Sequence, residues 1–92
     1  MATFTIPTPL RTFTDQSKTV DVNGATVGQA LDDLTRKYPA LRDHLFNGAE
    51  LRRFVNIYIG EEDIRFLNGL DTEISAEENL RIIPTVAGGK GA

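Results

Sequence analysis

Apolar and polar positions alternate from Thr3 to Thr8, with Phe4 and Ile6 pointing one way and Thr3 and Thr5 the other. A period of two marks a strand with one buried face. Pro7 and Pro9 suit its end or an edge position, because proline donates no ladder hydrogen bond. Leu10 to Gln16 reads as a connecting loop. Alternation resumes from Lys18 to Val22, with Val20 and Val22 on one face, so the two segments read as a β-hairpin.

The period then changes. Asn23-Gly24 is a turn dipeptide, and Thr26-Val27-Gly28-Gln29 has the form of a capping box. The Thr26 hydroxyl can accept from the Gln29 amide, and the Gln29 side chain can reach back to the Thr26 amide. Val27, Ala30, Leu31, Leu34 and Tyr38 follow at spacings of three and four, which is one apolar stripe on a helix. Asp32–Arg36 and Asp33–Lys37 form i,i+4 pairs on its opposite side. Pro39 ends the helix, Ala40 to Phe46 adds another helical turn, and Asn47-Gly48 reverses the chain.

Leu51 to Ile59 is the strongest strand, with Val55, Ile57 and Ile59 on one face and Phe54, Asn56 and Tyr58 on the other. Gly60-Glu61-Glu62-Asp63 makes a turn, Ile64 to Leu67 returns as a short strand, and Asn68-Gly69 turns again. Leu70 to Ala76 is irregular, with a short strand near Thr72–Ile74. The last strand runs from Leu80 to Val86, with Leu80 and Ile82 inward and Arg81 and Ile83 outward. The order β-β-α-β-β-β, with one long helix on one side of the strands, predicts a two-layer α+β domain.

Composition narrows the chemistry. The chain has 92 residues, 40% of them hydrophobic, which suits one compact domain. It has no cysteine, which excludes disulfides, thiolate metal sites and a thiol nucleophile. Its single histidine, His44, has no acidic or serine partner at a recognisable spacing and reads as structural. The formal charge of −3 makes a poor polyanion binder, so no nucleic-acid partner is expected. Arg52-Arg53 reads as a solvated strand edge, and Glu61-Glu62-Asp63 as a solvated hairpin turn rather than a cation site. No apolar run reaches the roughly 18–20 residues that span a bilayer, and the N-terminus lacks the pattern of a secretory leader. A cytoplasmic protein with no membrane partner, no metal site and no enzyme active site is therefore expected.

Phe54, Tyr58 and Ile83 would share the outward face of the sheet. Neighbouring exposed apolar residues often mark a partner site. The alternative is that the Leu10–Gln16 loop covers Phe54 or Tyr58.

The chain closes on Ala87-Gly88-Gly89-Lys90-Gly91-Ala92. Adjacent glycines lack Cβ atoms and can thread a narrow slot, although a chain end of this composition can also simply fray. With the element order, the runs Ile6-Pro7-Thr8, Leu10-Arg11, Arg53-Phe54-Val55-Asn56-Ile57-Tyr58, Glu62-Asp63-Ile64-Arg65-Phe66, Gly69-Leu70 and Ile83-Pro84-Thr85-Val86-Ala87-Gly88-Gly89 resemble the ubiquitin-like sulfur carriers of the ThiS/MoaD family. That family includes the molybdopterin synthase small subunit and the thiamin sulfur carrier. The resemblance spans essentially the whole chain and is nearest to the carriers that serve cysteine biosynthesis.

The resemblance implies a ubiquitin-like β-grasp fold: a mixed sheet with one main helix on one face, residues 1–87 as the domain and 88–92 as a projecting tail. It implies a protein reagent rather than a catalyst. An E1-like adenylating enzyme would use ATP and Mg to activate a terminal glycine carboxylate, and sulfur would then replace the nucleotide to leave a thiocarboxylate. Gly89 would bear that group, and Gly88 would let the tail pass through the partner's active site. A pyridoxal-phosphate cysteine synthase would accept the sulfur, and a zinc metalloprotease would release cysteine. Phe54, Tyr58 and Ile83 would form the docking face. Lys90-Gly91-Ala92 depart from the family pattern, because the Gly89 carbonyl lies in a peptide bond, so a protease must first remove them. A protein modifier joined to lysines through Gly89, or a noncovalent binding module whose tail is never processed, are the readings of other classes.

Overall fold

The structure, a computed structural model, describes residues 1–84. The first hairpin pairs β1 (Ala2–Thr5) antiparallel to β2 (Thr19–Val22), with Phe4 opposite Val20. The segment between them is not a bare loop. Pro7 and Pro9, with their fixed φ, start a 3₁₀ helix over Thr8–Phe13 that buries Leu10. Thr14 follows, fully buried, with its hydroxyl 3.3 Å from the Arg11 carbonyl and 3.1 Å from the Ser17 carbonyl. A buried hydroxyl with acceptors in reach closes the loop at little desolvation cost. Phe13 stacks on His44, with ring centroids 4.1 Å apart, so this segment is tied to the second helix through that pair.

Helix α1 (Val27–Lys37) starts where the capping pattern places it. Thr26 accepts the Gln29 N–H at 3.2 Å, but the Gln29 side chain accepts from Ala25, at 2.8 Å, and not from Thr26. The Val27 N–H donates to the Thr72 carbonyl and the Ile74 N–H to Ala25, joined by a bridge between Thr26 and Glu73. The irregular stretch before the last strand thus satisfies part of the helix N-terminus, as orphan donors require. Gly24 is needed for the approach: a Cβ there would lie 2.6 Å from the Ala30 backbone nitrogen.

Pro39 ends α1 and at once opens α2 (Pro39–Leu45), which is longer than the single turn expected. Proline fits the first turn of a helix, where its missing N–H is no loss. A small hairpin follows, β3 (Phe46–Asn47) against β4 (Glu50–Leu51), reversed by Gly48 at φ +70°. The strand expected from Leu51 to Ile59 is therefore broken at Arg52–Phe54. Its regular part is β5 (Val55–Ile59), which pairs with β6 (Glu62–Asp63). Ile64–Phe66, expected as strand, is a 3₁₀ turn, because Asp63 accepts the Arg65 N–H at 2.8 Å and bends the chain out of the sheet.

Strand β7 (Asn79–Pro84) is central in the order β2-β1-β7-β5-β6. It runs parallel to β1, with Phe4 opposite Leu80, and antiparallel to β5, with Ile57 opposite Ile82. Phe4, Ile6, Val20, Val22, Val55, Ile57, Leu80 and Ile82 form one buried cluster with Val27, Ala30, Leu31 and Leu34 of α1 and with Leu41 and Leu45 of α2. Each Val, Leu, Ile or Phe among them is worth about 1.5–3 kcal/mol of burial. This is the β-grasp arrangement, a mixed sheet with its main helix on one face. No helix among the described residues is long and apolar enough to cross a membrane.

The acidic pair on α1 divides its work differently from the i,i+4 pattern. Asp33 is buried and binds both Arg36 and Lys37, the latter at 3.3 Å, while exposed Asp32 lies 3.8 Å from Arg42.

Candidate functional site

The site grows from the end of the central strand. Ile83 and Pro84 close β7 against Asn56 and Val55, the first residues of β5. Phe54 occupies the turn just before β5 and is 41% exposed, and Ile83 is 37% exposed. The turn and the strand end therefore bring two large apolar side chains to one end of the sheet. Tyr58 sits two residues further along β5, opposite Arg81, and is half-buried. The Arg81 guanidinium lies 5.6 Å over its ring and donates to the Gly60 carbonyl at 2.7 Å. A cation held over the ring covers part of it. Of the three residues expected on this face, Phe54 and Ile83 present apolar surface, and Tyr58 is a partly covered support.

Beside Phe54 an open concavity of about 400 Å³ is lined by Asn47, Glu50, Leu51, Arg52, Arg53 and Phe54. The basic pair is thus not a strand edge. Arg52 donates from Nε to the Asp43 carbonyl at 2.8 Å, which fastens the turn to α2, and Arg53 is exposed on the rim.

Arg65 is the residue that pattern reading missed. Its periodicity suggested a strand, whereas the 3₁₀ turn sends its side chain back to the start of β5. Nη1 donates to Asn56 Oδ1 at 2.6 Å, and Nη2 to the carbonyls of Arg53 and Val55 at 2.9 and 3.1 Å. The available signal was an arginine placed between apolar Ile64 and Phe66. Phe66, on the same turn, is 84% exposed, and nothing in the alternation pattern pointed to that.

Among the described residues no group of three or more His, Cys, Asp or Glu side chains could hold a metal ion. Asp63, from the acidic turn, is buried and engaged with Arg65. Gly88, Gly89, Lys90, Gly91 and Ala92 lie outside the described residues, as does the boundary expected after residue 87.

Residues 4–89 match the model of the ThiS family. The chain is 41% identical over 90 residues to the sulfur carrier protein CysO of Mycobacterium tuberculosis, covering 95% of this chain and 97% of the relative. It superposes on a chain of the crystal structure of the Amycolatopsis orientalis BexX/CysO complex with a TM-score of 0.89 at 40% identity, over 97% of this chain and 100% of that one. The solution structure of the small archaeal modifier protein 1 from Methanosarcina acetivorans matches with a TM-score of 0.85 at 29% identity, over 96% and 95% of the two chains.

Proposed function

This chain belongs to the ThiS family and is a ubiquitin-like sulfur carrier, a protein substrate of partner enzymes rather than an enzyme, and from that premise we propose that it donates sulfur to cysteine biosynthesis through a thiocarboxylate on Gly89. The family match stops at Gly89, and this is the observation that carries the assignment of the reactive residue. Likeness to CysO carriers over nearly the full length supports the cysteine branch.

In this reading a protease, of the zinc metalloprotease class, removes Lys90-Gly91-Ala92. The freed Gly89 carboxylate attacks the α-phosphate of ATP on an E1-like adenylating enzyme, with Mg, and pyrophosphate leaves. A sulfur nucleophile then displaces AMP. The absence of cysteine from the chain suits this chemistry, because the reactive sulfur is carried on the main chain and no side-chain thiol competes for it. Gly88 lets the tail pass a narrow slot. Phe54 and Ile83, with Tyr58 behind them, form the docking face at the root of that tail. A pyridoxal-phosphate cysteine synthase joins the carrier-borne sulfur to its amino-acid acceptor, and a zinc metalloprotease hydrolyses the resulting cysteine from the Gly89 carbonyl. The reaction takes place in the cytoplasm.

The test is incubation of the chain ending at Gly89 with its adenylating enzyme, ATP, Mg and sulfide. Intact-mass spectrometry should show an oxygen-for-sulfur exchange at the C-terminus, and the 92-residue chain should show none. Failure of the trimmed chain to react overturns the reading. The likeness to an archaeal modifier protein favours a second reading, in which Gly89 is joined to lysines of other proteins. Covalent ladders on cellular proteins would reveal it.

A further inference from the structure

The exposed turn that carries Phe54 has no helix or ladder of its own to hold it. Its Val55 N–H donates to the Arg52 carbonyl at 3.0 Å and Arg52 ties its first residue to α2, and a second guanidinium, that of Arg65, grips the residues on either side of Phe54. Arg65 Nη2 donates to the Arg53 carbonyl at 2.9 Å and the Val55 carbonyl at 3.1 Å, which stand on either side of Phe54. Arg65 Nη1 donates to Asn56 Oδ1 at 2.6 Å, and Asn56 Nδ2 donates in turn to the Ile83 carbonyl at 3.2 Å. The arginine itself is fixed from behind: Asp63 Oδ1 accepts its backbone N–H at 2.8 Å, and Asp63 Oδ2 lies 4.0 Å from Nη1. We infer that Arg65 is a positioning residue for the docking face, setting Phe54 directly and the Ile83 end of the central strand through Asn56.

This inference rests on the carrier reading and goes beyond it by naming a residue that acts without contacting the partner. Arginine is the side chain suited to the task. Its planar fork meets three oxygens from two nitrogens, whereas a lysine ammonium is a single point charge. The acceptors are near water and the side chain is half exposed, so the clamp adds little to global stability. Its effect is on geometry, and geometry at an anchor governs affinity.

The experiment compares Arg65→Ala, Arg65→Lys, Phe54→Ala and the Phe54/Arg65 double variant. In the free 92-residue chain, Arg65→Ala should shift or broaden the amide resonances of Phe54, Asn56 and Ile83 and leave those of Leu31 and Leu34 in place. With the chain ending at Gly89, ATP–pyrophosphate exchange by the adenylating enzyme should show KM raised about tenfold at unchanged kcat. Arg65→Lys should recover only part of this. In the Phe54→Ala background, Arg65→Ala should change KM by less than about twofold, because the two residues act as one unit. Unmoved resonances overturn the clamp whether or not the chain is a carrier. Moved resonances with unchanged KM, full recovery by lysine, or effects that multiply independently overturn the positioning role. If the enzyme does not activate the chain ending at Gly89 and carrying no substitution, the carrier reading is overturned, and the docking role falls with it.

Discussion

Asp33 accepts the backbone N–H of Asn23 at 3.0 Å across the junction between β2 and α1. The same buried carboxylate binds Arg36 and Lys37. One side chain thus joins the first hairpin to the main helix. The Asn23 hydrogen bond does most to hold its pKa at about 2, below the ordinary 3.8, followed by the Arg36 hydrogen bond; burial opposes both, and Lys37 adds a smaller favourable contribution.

A folded pKa below the unfolded one stabilises the fold above the unfolded value, and that stability is lost as pH falls through the folded one. The stability contributed by Asp33 should therefore be complete above pH near 4 and fade towards pH about 2. Asp33→Asn removes the ionisation and both ion pairs. Urea denaturation should show it less stable at neutral pH by about 1–2 kcal/mol. The gap from the unmodified protein should close in acid. A gap that stays constant down to the lowest pH would refute the assignment.

Gly24→Ala tests the same junction by shape. The added Cβ would lie 2.6 Å from Ala30 N and 2.9 Å from Gln29 C, both backbone atoms of α1. The helix must move, at a cost of about 1–3 kcal/mol. Thermal melting should record the loss, and the Asn23–Asp33 hydrogen bond should weaken with it. No change in melting would mean that the turn relaxes outward freely.

Phe54→Ala and Ile57→Ala should separate recognition from folding. Ile57 is fully buried and Phe54 is 41% exposed. Truncating Ile57 should cost about 2–5 kcal/mol of stability. Truncating Phe54 should cost less than about 1 kcal/mol, as for a surface site. Calorimetric titration against the adenylating enzyme should reverse the order, with Phe54→Ala losing more than about tenfold in affinity. Equal stability losses would show that Phe54 supports the fold.

The elements with a long, clean period were legible in the sequence: the first hairpin, the stripe of α1, and the inward residues Leu80 and Ile82 of the last strand. Short polar devices were not. Residues 10–16 looked like a loop because the anchor is a polar residue, Thr14, buried against the nearby carbonyls of Arg11 and Ser17, and hydrophobic periodicity does not register such a contact. The Arg65 segment looked like a strand because alternation cannot register an Asp63 side chain that captures the next turn. Asp32 and Asp33 looked equivalent by spacing, and only the approach of Asn23 distinguishes them. At the site, the outward side of Ile83 followed from alternation, while Phe54 is exposed as expected but on a turn rather than on a strand. Tyr58 is less exposed than alternation alone suggests because Arg81 is its cross-strand neighbour, and Arg65 was missed because most of its partners are backbone oxygens.

The placing of β7 has a mechanical consequence. Its hydrogen bonds to β1 and β5 flank it on both sides, with β1 parallel and in register from Thr3 to Thr5. A pull applied at Pro84 along the strand axis loads these bonds together in shear, whereas an edge strand such as β2 can be peeled one bond at a time. A partner enzyme can therefore draw on the C-terminal end of this strand without unravelling the domain behind it.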